Sequence, residues 1–188
     1  SDRPKMRKLY EAYLDSMLDF CVQPMSLMGF VPLTVNHKLM PDGTVTLDGW
    51  DFSEWDKVLD EYVTRHGATF INLMHTNGIN CSRFSITTAK GWQGFTCEAK
   101  TPAGYTRLSK KAFDALIGDY FDAIAMHLDK KGMLDNAYIC FDESPTDTYQ
   151  KVRDFGLALK GRPYAKRIKI YHTLQHAAFY TKTVDGKN

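Results

Sequence analysis

The 188-residue chain has little of what marks the commoner functional classes. Its four cysteines, Cys21, Cys81, Cys97 and Cys140, form no CxxC pair, which argues against a zinc knuckle or a thioredoxin-type redox centre. Cys81 and Cys97 flank a loop-like stretch and are a candidate disulfide for an oxidising compartment. Four free thiols are the equal alternative, so cysteine usage leaves the compartment open. Charge of one sign is also missing: 24 Lys and Arg are mixed with 22 Asp and Glu, a net +2, so nothing in the charge draws the chain to nucleic acid or to an anionic membrane surface. No apolar run approaches the roughly 20 residues of a membrane span. No GxGxxG or GxxxxGK[ST] follows a predicted strand, which leaves nucleotide binding without support, and there is no HExxH-type histidine pair. No cofactor is implied. The opening Ser1-Asp2-Arg3, with neither an initiator Met nor an apolar leader, reads as a processed or excised piece.

A hydrophobic fraction of 44% and an aromatic fraction of 13% are those of a folded core, and 188 residues suit one domain, 1–188. Apolar spacing predicts a first helix over 4–21, with Leu9, Tyr13, Met17 and Phe20 or Cys21 as its recurring positions. A short strand follows at 25–30, "MSLMGF", and then a hairpin turning at Asp42-Gly43. Ser53 is placed to cap a second helix with Trp55, Val58, Leu59, Tyr62 and Val63 on its apolar face, ended by Gly67. "TFINLMH" (69–75) reads as a strand, and 77–107 as a long irregular insertion with one short strand near "RFSIT". Ser109 caps the longest helix, 110–131. A strand at 137–143, a helix at 148–159 and a strand at 168–173 complete the pass.

Helices thus alternate with short, continuous, apolar strands, the signature of a parallel α/β fold. An open doubly wound sheet and a (β/α)8 TIM barrel both fit. Only four core strands can be counted, so a barrel would be a partial one, completed by other domains or chains. In either architecture the functional face lies at the carboxyl ends of the strands. There the sequence puts His75 and Asn77, then Asp142-Glu143, then His172, while Trp50, Trp92 and Tyr180 lie in loops. Trp and Tyr faces stack on sugar rings, so this set fits a carbohydrate site. Each residue also has a plainer reading: His75 and His172 as ordinary backbone-bonded histidines, the tryptophans as packing, and Asp142 as a helix cap.

Two adjacent carboxyls repel, and partial burial raises one pKa, which separates an acid from a base. Glycosidases that use a carboxylate nucleophile hold their pair about 5 to 10 Å apart on separate elements. Adjacency in sequence fits substrate-assisted hydrolysis better, in which the sugar's own 2-acetamido group attacks. The stretches "GTVTLDGWDFSEWDKVLDEYVTRHGATFINL", "YICFDESPTDTYQKVRDFGLALKG" and "IKIYHT" resemble the catalytic barrel of glycoside hydrolase family 123, over roughly Asp42 to Thr173. The resemblance implies removal of β-linked N-acetylgalactosamine by a bacterial enzyme, with Asp142 stabilising the acetamido group and Glu143 as acid/base. It implies a glycan partner and a secreted or periplasmic place of action. That family's chain follows a β-sandwich and continues through further strands, of which "TVDG" (183–186) looks like the next start. Two other readings compete: a non-catalytic carbohydrate-binding or scaffold protein on the same barrel, and a metal hydrolase using Asp142, Glu143, His75 and His172.

Overall fold

The computed structural model of the chain describes residues 3–22, 33–73, 79–81, 84–88, 95–101, 104–107, 109–141 and 149–172. The strand expected over 25–30 lies outside them. Helix α1 (Arg3–Asp19) comes first, then the strands β1 (Thr34–Leu39) and β2 (Val45–Asp51), paired antiparallel. Asp42 makes their turn: its carboxylate accepts from the Thr44 backbone N–H at 2.9 Å and from the Thr44 hydroxyl at 2.6 Å. Gly43, at φ +79°, takes the left-handed conformation that favours glycine.

Helix α2 (Ser53–Val58) follows and widens without a break into a π-helical stretch, Leu59–Arg65. Trp55, Val58, Leu59 and Tyr62 are buried and Val63 packs against them, as the apolar spacing predicts. The cap differs from expectation. Phe52 occupies the cap position, and it is the Asp51 carboxylate, one residue earlier, that accepts from the Ser53 N–H at 2.9 Å. An Asp two residues upstream closes the turn as a capping serine would, through its own Asx turn. That bond, with one from the Ser53 hydroxyl, holds the Asp51 carboxyl below the usual carboxylate range.

After the two-residue strand β3 (Ile71–Asn72) the chain builds an antiparallel meander of β4 (Ile79–Cys81), β5 (Phe84–Thr88), β6 (Phe95–Thr101) and β7 (Gly104–Arg107), in that spatial order. The stretch expected to be mostly irregular is therefore largely strand. Its register sets Cys81 opposite Phe84 and Cys97 opposite Ile86, with β5 between them. Two strand spacings separate the two backbones by about 10 Å, beyond the about 7 Å that a disulfide bridges.

Helix α3 (Lys110–Lys130), capped by the Ser109 hydroxyl accepting from the Ala112 N–H at 3.2 Å, leads to β8 (Ala137–Phe141), helix α4 (Tyr149–Lys160) and β9 (Lys169–His172). Strands β3, β8 and β9 form one parallel sheet in that order. Its core-facing residues Ile71, Leu73, Ala137 and Ile139 join one cluster with Leu116, Phe121 and Ile124 of α3 and Phe155 and Leu159 of α4. Both crossover helices thus cover the same face.

Helix α1 turns a different face inward from the one its spacing predicts. Leu14 is buried and Tyr10 and Leu18 pack beside it, whereas Leu9, Tyr13 and Phe20 are exposed. The spacing marks two apolar stripes, and the one carrying Leu14 meets the core. The Tyr62 phenol, pushed up first by burial and then by Asp15, donates to the Glu11 carbonyl of α1 at 3.5 Å.

A polar clamp ties α2 to α3. His127 Nε2 lies 2.7 Å from Asp56, Lys131 lies 3.3 Å from Asp56 and 2.9 Å from Asp60, and the Phe52 ring stacks on His127 at 3.9 Å. Burial raises the Asp56 carboxyl, but the bonds and charges of His127 and Lys131 outweigh it and hold the group below its ordinary value. A depressed carboxyl stabilises the fold above its unfolded-state pKa and loses that contribution as pH falls through its folded value. Asp56→Asn should therefore flatten the loss of stability below about pH 4, measured as urea midpoint against pH; an unchanged acid limb would show the clamp to be inert. In the core, Leu116→Ala should cost about 2–5 kcal/mol in the same titration.

Candidate active site

At the amino ends of the parallel sheet, polar side chains lace the strands together. Asn136 Nδ2 donates to the Thr69 carbonyl at 3.0 Å, joining the starts of β8 and β3. Arg167 pairs with Asp129 at 2.5 Å and Asp135 at 3.2 Å, and Lys169 Nζ donates to the Asp135 carbonyl at 2.6 Å. Asp122 of α3 accepts from both the Tyr164 and Ala165 N–H groups at 2.8 Å, which fixes the turn leading into β9. These contacts anchor the scaffold at the end away from the expected chemistry.

At the carboxyl ends, Phe141 closes β8 opposite His172, which closes β9. Asp142 is the next residue after Phe141 in sequence. Asp142, Glu143, His75, Asn77, Trp92 and Tyr180 lie outside the described residues, as does the His172 side chain. Among the candidates, the structure describes the side chain of Trp50. It is half-buried at the end of β2, stacked on Phe52 at 5.6 Å and tilted against Tyr120 of α3 at 5.4 Å. Trp50, Phe52 and His127 thus form a continuous stack that joins the hairpin to α3, and the Trp50 ring packs there.

The sheet face turned away from α3 and α4 carries residues that sequence reasoning did not single out. Side chains alternate along a strand, so Asn72, Tyr138, Cys140 and Tyr171 share this face through the pairs Asn72–Tyr138 and Cys140–Tyr171. Tyr138 meets Phe70 edge-to-face at 5.9 Å and Tyr171 at 5.6 Å. Asn72 is 1% exposed, and Cys140 is buried. Burial pushes the Tyr138 phenol up, Cys140 and Tyr171 add to it, and the hydrogen bond with Asn72 works against them. This face, which no described helix covers, is therefore aromatic and polar, unlike the aliphatic face against α3 and α4. The period-two alternation of "AYICF" carries the signal, since a strand covered alike on both faces has no reason to set Tyr138 apart from Ile139. Among the described residues no three His, Cys, Asp or Glu side chains gather into a metal-binding group, and no helix is long and apolar enough to cross a membrane.

Helices on one face of a parallel sheet, stabilising contacts at its amino ends and polar sequence after its carboxyl ends are the layout of an α/β catalytic domain. The family described as "Glycoside hydrolase 123, catalytic domain" matches residues 35–187, from β1 past β9, and the chain belongs to it. A glycoside hydrolase acts on glycans. No curated protein matches the chain.

The burial of Asn72 makes a direct test of this face. Asn72→Asp puts a carboxyl where its charged form is poorly solvated, which raises its pKa. A raised carboxyl destabilises the fold at neutral pH and ceases to do so below its unfolded-state pKa. The variant should lose about 1–3 kcal/mol at pH 7 and recover toward wild type near pH 4, read from urea midpoints. A loss that is the same at both pH values would contradict a dry environment at position 72.

Proposed function

We propose that the chain is the catalytic part of a glycosidase that removes β-linked N-acetylhexosamine, N-acetylgalactosamine in first place, by substrate-assisted retaining hydrolysis. The family match over 35–187 supports this reading, because the matched span includes adjacent carboxylates directly after a strand of the parallel sheet. In the proposed reaction the acetamido carbonyl oxygen attacks the anomeric carbon while the glycosidic C–O bond breaks. Glu143 gives its proton to the departing oxygen. Asp142 accepts the acetamido N–H and balances the positive charge of the oxazolinium that forms. Water then adds to the anomeric carbon, Glu143 takes its proton, and the ring reopens with net retention. The proton that leaves Glu143 in the first step returns in the second, so no co-reactant is needed.

We read β3, α3, β8, α4 and β9 as consecutive units of a (β/α)8 barrel, with the face that no described helix covers toward its interior. The aromatic and polar character of that face fits such an interior better than it fits a second helix layer. A secreted or periplasmic setting goes with glycan substrates.

Asp142→Asn and Glu143→Gln should each lower kcat/KM on an aryl β-N-acetylgalactosaminide by about 10²–10⁴-fold, with urea midpoints unchanged. The matching aryl galactoside, which lacks the acetamido nucleophile, should not turn over. Wild-type rates in both variants, or equal turnover of the galactoside, would defeat the proposal. Sugar binding by the wild type without turnover would favour a binding or scaffold role instead.

A further inference from the structure

Helix α1 carries an apolar stripe that no other described residue covers. Met6, Leu9, Tyr13 and, just past the last helical residue, Phe20 are 54%, 66%, 59% and 80% exposed, while Leu14, on the inner face, is 1% exposed. Single exposed apolar residues are ordinary, but four along one stripe are not. Their spacing is that of a coiled-coil seam. Met6, Tyr13 and Phe20 are seven apart, and Leu9 with Ser16 supplies the intervening positions. The stripe lies before residue 35, where the family match begins, so the catalytic scaffold does not account for it.

The charge pattern indicates what covers the stripe. The first half of the helix carries Lys5, Arg7 and Lys8, and the second half Glu11, Asp15 and Asp19. Arg7 is engaged with Glu11 and Glu54. Lys5, Lys8 and Asp19 make no ion pair among the described residues. Lys5, Ala12 and Asp19 are themselves seven apart, on the flank of the stripe, with a small residue between two opposite charges. A parallel copy would set like charges abreast. An antiparallel copy sets the basic end of each helix beside the acidic end of the other and opposes the two helix dipoles.

We propose that α1 pairs antiparallel, stripe to stripe, with α1 of a second copy of this chain. The contact is isologous, so each of its interactions occurs twice about a twofold axis. One helix pair is a small interface, at the weak end of specific associations.

Sedimentation equilibrium of the 188-residue chain tests this, run with reductant because the exposed Cys21 lies just beyond the helix. The mass should rise with concentration from 21.5 kDa toward twice that value over roughly 1 to 300 µM, the micromolar range of weak complexes. Leu9→Glu combined with Tyr13→Glu should stay monomeric throughout with unchanged far-ultraviolet circular dichroism, since both side chains point away from the core. Lys5→Glu should weaken pairing by about fivefold, and adding Asp19→Lys should restore it. A wild type that is monomeric at every concentration, or a dimer unaffected by Leu9→Glu and Tyr13→Glu, would overturn the proposal. Failure of the charge swap to restore pairing would overturn the antiparallel arrangement.

Discussion

Burial of one side of α3 is the constraint on which the rest of the structure depends. Leu116, Ile117, Tyr120, Phe121, Ile124, Ala125 and Leu128 are each no more than 2% exposed along a single 21-residue helix. At roughly 1.5–3 kcal/mol for each large side chain, no other element contributes comparable apolar burial among the described residues. The neighbours are arranged around it. Tyr120 receives Trp50 and Phe121 receives Phe155. Asp122 holds the turn before β9, and Asp56, through His127, fixes α2. Even the mid-helix Gly118 has a packing reason: a β-carbon there would run into the Arg162 guanidinium, which crosses the helix to the Ala115 carbonyl and pairs with Asp119.

The described polar contacts of the parallel sheet gather at one end of its strands. Charged and amide side chains concentrate at the amino ends of β3, β8 and β9, where they bridge strand to strand and strand to helix. A catalytic carboxylate tied up in such a lattice would be held in one protonation state and could not exchange protons with a substrate. The two faces of the sheet also differ, with aliphatic residues against the helices and tyrosines, Asn72 and Cys140 on the other side.

Much of the scaffold was legible because its signals are local. The α3 stripe, its Ser109 cap and the Gly132 that ends it at φ +70° follow from spacing and from the conformational freedom of glycine. So does the Asp42-Gly43 hairpin. The meander was harder to read. Phe95-Thr96-Cys97-Glu98-Ala99-Lys100 does alternate, but dense Gly and Thr around it resemble a loop. Helix α1 carries two stripes of similar weight, and spacing alone does not say which one finds a partner. At the candidate site, Asp142-Glu143 stands out as a break in an apolar run. Trp50 illustrates the opposite problem: a tryptophan that stacks on a phenylalanine has the same sequence signature as one that stacks on a sugar. Asn72 and Tyr138 carry meaning only once pairing sets them side by side.

The two apolar faces of α1 bear on how association and catalysis are related in this chain. The inner face reaches the scaffold through Leu14 and through bonds to α2 and the π-helical stretch after it: Arg7 to Glu54, and Tyr62 to the Glu11 carbonyl. Those partners belong to the α2 side of the core. The amino ends of β8 and β9 are held instead by the Asp122 and Arg167 contacts, and their inner face by α3 and α4. Pairing through the outer face of α1 would add apolar burial to that helix, and so stabilise α1 itself. It would do so without repositioning Asp122 or the strands it anchors. A helix with this pattern works as a joint between copies, and the catalytic scaffold can keep its geometry whether or not the joint is made.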